Sequence, residues 1–119
     1  MLKLYDYLDT ILQSNKLDPL FENDQLFFAN DVFELLSISD EVQQKSTLRR
    51  ALQSCVTLSI PLNKNFKRIY RFADSGLISD WQMSALGCYL TIINCDPKYE
   101  QVAKAQLFFA IKNFQLKSR

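Results

Sequence analysis

Residues 79–111 read SDWQMSALGCYLTIINCDPKYEQVAKAQLFFAI and form the most distinctive segment of the chain. Nearly all of its side chains are apolar or small, and two helix start signals divide it. Ser79 can cap a first helix, with Gln82 three residues later to complete a capping box. Asp96 can cap a second helix, in which Pro97 takes the first helical position. We therefore predict that two packed helices form the core of the domain.

The rest of the chain predicts three further helices and a hairpin. Apolar residues recur there at three- and four-residue spacing, and Asn30 and Ser39 read as helix caps. The segment FKRIYRF at 66–72 alternates in the manner of a strand, and Asp74-Ser75-Gly76 is a turn signal. The expected helices cover about 2–14, 30–37, 40–58, 80–94 and 97–115, and the expected hairpin covers about 66–80.

Together these elements predict an α+β fold that is predominantly helical. We expect a single compact domain over 1–119, with an acidic N-terminal helix at 1–15 and the core at 26–115. A second hairpin is predicted within 20–28, turning at Asn23-Asp24. A chain of 119 residues can bury a core without disulfides or a structural metal.

The composition argues against an enzyme. The chain contains no histidine, which removes the most common general base and the most common metal ligand. It also lacks a Gly-rich phosphate loop, a zinc-protease signature and a nucleophile elbow. Cys55, Cys88 and Cys95 have no C-x-x-C spacing and lie among apolar residues, so we expect small buried hydrophobes. The sequence therefore predicts no enzymatic activity, no cofactor and no metal.

The same features predict a cytoplasmic protein. The cysteines are odd in number and suit a reducing compartment, and the N-terminus is acidic and amphipathic, unlike a secretory signal. No apolar run reaches the roughly 18 residues that cross a bilayer. We therefore expect no membrane association.

Charge is distributed very unevenly along the chain. Residues 1–44 carry nine acidic and two basic side chains, a net charge of −7, whereas residues 45–119 carry twelve basic and four acidic side chains, a net charge of +8. Between residues 45 and 71 there are seven basic side chains and no acidic one: Lys45, Arg49, Arg50, Lys64, Lys67, Arg68 and Arg71. Such asymmetry is a hint of contact with a polyanion.

This basic segment predicts a nucleic-acid-binding surface made of those seven residues. Lysine and arginine neutralise phosphates, and the interleaved aromatic side chains of 66–72 can stack or pack. The two helices at 30–37 and 40–58 resemble a helix-turn-helix in outline. The alternatives are a solvated helix face and a hairpin whose charges only keep it soluble.

A resemblance to a known family rests on residues 78–111. This stretch resembles the DNA-damage-inducible protein D (DinD) family, whose characteristic run has the form D-[YW]-x-[LM]-S-R-x-A-C-Y-L-x-x-x-N-x-D-P-x-x-x-x-V-A-x-A-Q-x-[YF]-F-A. The matching positions are Asp80, Trp81, Met83, Ser84, Cys88, Tyr89, Leu90, Asn94, Asp96, Pro97, Val102, Ala103, Ala105, Gln106, Phe108 or Phe109, and Ala110. Upstream, FFANDVFELLSIS is similar to the family's aromatic-A-R-D-L segment and to the opening of BRO and KilA-type phage antirepressor domains. LRRALQSC resembles the family's K-A-x-x-A-C helix.

The resemblance implies a small, mostly helical or α+β domain associated with DNA or with protein–DNA filaments, in DNA damage responses or phage regulation, with no known reaction. Two positions depart from the family pattern, because Ala85 replaces its arginine and Gly87 replaces its alanine. Any role of that arginine cannot be carried over. The leading hypothesis is a non-enzymatic, DNA-associated regulator. The alternative is a protein-interaction module that binds a partner through the acidic N-terminal third, or binds itself as a homo-oligomer, and binds no nucleic acid.

Overall fold

The architecture is a set of helices around a small antiparallel sheet, as the computed structural model describes it for residues 3–13 and 27–117. In chain order the elements are α1 (Lys3–Gln13), β1 (Phe27–Phe28), α2 (Ala29–Leu35), α3 (Glu41–Thr57), α4 (Leu62–Asn65), β2 (Phe66–Ala73), β3 (Gly76–Met83), α5 (Ala85–Ile93) and α6 (Glu100–Lys117). The predicted α+β, predominantly helical class is confirmed. Of the predicted hairpin at 20–28, all but the last two residues lie outside the described residues.

The hairpin of β2 and β3 is the longest paired unit of the fold. The strands run antiparallel from the pair Phe66 and Met83 to the pair Ala73 and Gly76, and β1 adds a short pairing at the base of β3. The sheet order is therefore β1-β3-β2. Gly76 closes the turn with a φ of +111°, a conformation that favours glycine. The predicted turn at Asp74-Ser75-Gly76 is confirmed.

The predicted start of the first core helix at Ser79 was wrong. Ser79 lies in the middle of β3, opposite Tyr70, and the helix α5 begins only at Ala85. Its cap is Ser84, whose hydroxyl accepts a hydrogen bond from the Gly87 N–H at 3.0 Å. The ladder with β2 extends through Met83, where β1 also pairs, and this strand pairing prevails over the local capping signal at Ser79.

A buried polar junction fixes the start of α5 against α4, a short helix that the sequence did not predict. The Ser84 hydroxyl donates to Asn65 Oδ1 at 2.7 Å, and the Asn65 amide donates to the Pro61 carbonyl at 2.8 Å. A Cβ atom at Gly87 would lie 2.4 Å from the Asn65 carbonyl oxygen. Glycine is therefore required at position 87 by the close approach of two backbone segments.

The second core helix also begins later than predicted. The Asp96 carboxylate accepts from the Lys98 N–H at 3.0 Å and so caps a turn, whereas α6 itself starts at Glu100. The predicted packing of the two helices is nevertheless present. The Gln106 amide donates to the carbonyls of Cys95 at 3.0 Å and Ile92 at 3.2 Å, and so satisfies carbonyls at the end of α5.

Two further predicted caps were wrong by one or two residues. Helix α2 begins at Ala29, so Asn30 lies inside its first turn. Helix α3 is capped by Asp40, whose carboxylate accepts from the Val42 N–H at 2.9 Å, and not by Ser39. In both cases a helix was predicted in that segment, and only its first residue differs.

The core is centred on α5, which α1, α2, α3 and α6 surround. Its largest fully buried side chains include Phe33 of α2, Phe109 of α6 and Leu8 of α1. The predicted amphipathic first helix is confirmed, because Leu4, Leu8 and Ile11 are buried on one face of α1. Within residues 3–13 and 27–117, no helix combines the length and the apolarity needed to cross a membrane.

Candidate nucleic-acid interface

A cleft of about 410 Å³ opens between the hairpin and the helices α2 and α3. Helix α3 supplies Lys45 and Leu48 to its wall, and the hairpin supplies Arg68 and Trp81. The remaining lining residues are Asn30, Phe33, Glu41, Gln44, Ile78, Ser79 and Asp80. The cleft therefore combines two cations and two carboxylates, those of Glu41 and Asp80, with an indole ring and several hydrogen-bonding groups.

The aromatic part of this wall is held in place by neighbouring rings and charges. Trp81 pairs across the strands with Arg68, whose guanidinium lies 5.6 Å from the centroid of the indole. On the same face, Phe66 meets Trp81 edge-on with the ring centroids 6.5 Å apart. On the α3 side of the cleft, the Gln44 amide donates to the Ile38 carbonyl at 2.8 Å, and this hydrogen bond orients the Gln44 side chain. Arg68 and Trp81 therefore present a pre-formed cation–aromatic pair to the cleft.

Beside the cleft, a buried ion pair ties the hairpin to α2. The side chain of Asp80 is fully buried and accepts from Arg71 Nε at 2.7 Å. The same carboxylate accepts from the backbone N–H groups of Asn30 at 3.0 Å and Trp81 at 2.8 Å. Arg71 also contacts Asp31 at 3.0 Å, and the hydrogen bond that Arg71 donates to Asp80 is the main cause that raises the pKa of Arg71. The charge of Arg71 is thus balanced within the domain.

Arg50 is likewise used within the protein. It donates from Nη1 to the Ser46 hydroxyl at 2.8 Å and from Nη2 to the Asn94 carbonyl. It lines a different cavity, of about 430 Å³, at the C-terminal ends of α3 and α5. Among the seven predicted cations, Arg50 and Arg71 therefore connect elements of the fold.

The other five predicted cations are exposed and form no salt bridge with a described residue: Lys45, Arg49, Lys64, Lys67 and Arg68. The structure brings Lys45 and Arg68 into one cleft, and Arg49 follows Lys45 by one turn of α3. Lys64 lies in α4, before β2 begins. Lys67 lies on the face of β2 opposite to Arg68, because neighbouring residues of a strand alternate.

The hairpin face that carries Arg68 continues into an exposed apolar tip. Tyr70 is 69% exposed, Phe72 is 82% exposed, and Leu77, the partner of Phe72 across the strands, is 62% exposed. Sequence alternation grouped Arg68 with Tyr70 and Phe72 but did not identify Leu77 or Trp81. Those two become visible only once the register of β3 against β2 is known.

The cysteines offer no nucleophile near this surface. All three are free and buried. Burial raises the pKa of Cys95 to about 12, and it also raises the pKa values of Cys55 and Cys88. These thiols therefore stay protonated at neutral pH. Among the residues that the structure describes, no group of three or more cysteine, aspartate or glutamate side chains is arranged to hold a metal ion.

Comparison of the chain with protein-family models, with curated proteins and with solved structures gave no match. The resemblance to the DinD family therefore enters the functional argument only as a proposal.

Proposed function

We propose that the chain is a non-enzymatic regulatory protein that associates with DNA, or with a protein–DNA complex, through the cleft and the hairpin face beside it. One observation carries this proposal. Lys45 and Arg68, two exposed cations that form no salt bridge with a described residue, line one cleft with Trp81, and the hairpin face of Arg68 leads to exposed Tyr70 and Phe72. Cations beside exposed aromatic rings suit a nucleic acid, whose phosphates take the charge while bases and sugars pack on the rings.

The arrangement supports a definite division of roles. Arg68 and Lys45 bind phosphates, and Arg49 extends that contact along α3. Tyr70 and Phe72 pack against sugars or unstacked bases, and Trp81 forms the floor of the cleft. Arg71 and Arg50 hold elements of the fold together, because Arg71 is paired with Asp80 and Asp31 and Arg50 donates to the Ser46 hydroxyl and the Asn94 carbonyl.

The likeness to the DinD family favours DNA as the polyanion. In that interpretation the chain works in a DNA damage response or in phage-type regulation, in the cytoplasm. Helices α2 and α3 have the outline of a helix-turn-helix, and Lys45 and Arg49 lie in the first three turns of its second helix. The family's arginine is Ala85 here, and Ala85 is fully buried, so the proposal uses no contact from that position.

The test is a fluorescence-anisotropy titration of a labelled duplex, and of the same strand alone, at several salt concentrations. With about three phosphate contacts, the log–log dependence of the binding constant on salt has a slope of about −2.7 for a duplex. The double variant Lys45→Gln/Arg68→Gln is expected to lower the affinity at least about tenfold and to flatten the slope by about 2. The control variant Lys98→Gln/Lys112→Gln removes two cations that do not line the cleft and is expected to change the affinity much less. Equal losses in the two variants, or no binding of the wild type at low salt, would refute the proposal.

A second candidate function is a protein-interaction module that binds no nucleic acid. It is favoured by the apolar hairpin tip of Tyr70, Phe72 and Leu77, and by the net charge of only +1. A pull-down after nuclease treatment separates the two functions. A specific protein that is retained by the wild type and lost by Phe72→Ser, together with an absence of nucleic-acid binding, would establish the second.

A further inference from the structure

Helix α6 carries two apolar faces, and the described residues cover only one of them. Val102, Ala105 and Phe109 are buried against the rest of the domain. On the opposite side, Leu107 is 60% exposed and Phe114 is 72% exposed. Ile111 is 47% exposed beside them, and the small residues Ala103 and Ala110 are exposed in the same stripe. Large exposed apolar stripes of this kind mark interaction surfaces.

The spacing of the stripe is that of a helix-pairing seam. Ala103, Leu107, Ala110 and Phe114 follow one another at intervals of four, three and four residues. This is the a/d pattern of a heptad repeat, in which successive residues face a partner helix.

The order of large and small residues makes the seam complementary to itself in one direction only. When two copies of α6 lie antiparallel about a two-fold axis, Ala103 of one copy faces Phe114 of the other, and Leu107 faces Ala110. Each large side chain then meets a small one, which is the fit that close helix packing needs. In a parallel pair Phe114 would face Phe114 and Ala103 would face Ala103, so that crowding and voids would alternate.

We propose that a second copy of this chain docks on this face, through antiparallel packing of α6 against α6. The charges beside the seam permit this. Lys104 Nζ is paired with Glu100 of its own chain at 3.1 Å, and Lys112 lies over the ring of Phe108, 5.4 Å from its centroid. The charge of Lys104 is therefore balanced within one copy, and the ammonium of Lys112 is held on Phe108, outside the four seam positions.

The size of the seam sets the strength of the dimer. From Ala103 to Phe114 the helix rises about 16 Å, because each residue adds about 1.5 Å. A contact of four side chains over that length is smaller than the roughly 1,000 Å² of total buried area that a stable interface exceeds, so the dimer is a weak one. We therefore expect a two-fold symmetric dimer with a dissociation constant in the micromolar range or above.

The experiment is sedimentation equilibrium of the full chain from micromolar to near-millimolar concentration. The expected result is a reversible rise from 13.9 kDa towards twice that mass. Leu107→Glu places a charge in the seam and is expected to weaken self-association at least about tenfold. Phe114→Glu provides a second variant at an exposed site, and circular dichroism checks that both variants fold. Val42→Glu is the matched control, since Val42 is 72% exposed on α3 and lies outside the seam.

The direction of packing has its own test. The native thiols are buried, so a cysteine introduced on α6 is the accessible one. A mixture of Leu107→Cys and Ala110→Cys chains is expected to form a disulfide-linked heterodimer much faster than Ala103→Cys chains cross-link to one another. A chain that stays at 13.9 kDa at every concentration overturns the proposal. So does a dimer that Leu107→Glu leaves unchanged, or one in which Ala103→Cys cross-links as fast as the mixture.

Discussion

Replacing Asp80 by alanine tests the structural basis of the site, because this residue connects the hairpin to α2. The substitution removes the carboxylate that binds Arg71 at 2.7 Å and leaves the N–H groups of Asn30 and Trp81 without their acceptor. Breaking a buried ion pair costs about 3–5 kcal/mol. Arg71 is 29% exposed and can regain water, so we expect the low end, about 3 kcal/mol. For a chain of 119 residues this lowers the melting temperature by roughly 12 °C.

Two milder variants calibrate that value. Asp80→Asn keeps an acceptor for the two N–H groups but loses the charge, so we expect about 2 kcal/mol. Asp31→Asn removes the charge of the other partner of Arg71. Because Asp31 is 51% exposed, we expect this variant to lower the free energy of unfolding by at most about 1 kcal/mol. The assay is urea unfolding followed by circular dichroism and by the fluorescence of Trp81, the single tryptophan. A cost for Asp80→Ala no greater than that for Asp31→Asn would refute the claim that this carboxylate anchors the hairpin.

Three further predictions follow from the geometry. Arg68→Gln is expected to weaken nucleic-acid binding several-fold more than Lys67→Gln, because the two residues occupy opposite faces of β2. An anisotropy titration measures both affinities, and equal effects would contradict the proposal that the Arg68 face binds nucleic acid. Gly87→Ala is expected to cost roughly 1–3 kcal/mol in urea unfolding, because its Cβ would lie 2.4 Å from the Asn65 carbonyl oxygen; an unchanged stability would contradict the close approach. Burial raises the pKa of Cys95 from the ordinary range of a thiol to about 12, so the thiol ionises first in the unfolded chain, and the free energy of unfolding is expected to fall as the pH rises from about 9 towards 12. A thiol titration should accordingly detect no reactive cysteine in the folded protein at pH 8 and all three in denaturant, whereas fast reaction of the folded protein would contradict the burial.

Local sequence signals predicted which elements exist better than where they begin. The turn at Asp74-Ser75-Gly76 and the amphipathic first helix depend on nearby residues, and both were predicted. The start of α5 was misplaced, because Ser79 and Ser84 both stand where a helix could be capped. Pairing of β3 with both β2 and β1 decides between them, and the pairing with β1 joins residues more than fifty positions apart along the chain.

The candidate site could be predicted only in part, for the same reason. The run of seven cations without an acid marks the segment. Which of them are available depends on contacts over long sequence distances. Arg71 meets Asp31, forty residues earlier, and Arg50 meets the Asn94 carbonyl, forty-four residues later. Neither contact leaves a local pattern, so the other five cations could not be separated from these two.

The most direct measurement of the central proposal is the fluorescence of Trp81 during titration with DNA, because the single indole forms part of the cleft. Occupation of the cleft is expected to change its intensity or emission wavelength in a saturable way. Added salt should reverse the change, and Lys45→Gln/Arg68→Gln should abolish it at the same concentrations. Emission that stays constant with an excess of both duplex and single-stranded DNA at low salt would contradict the proposal that this cleft binds nucleic acid.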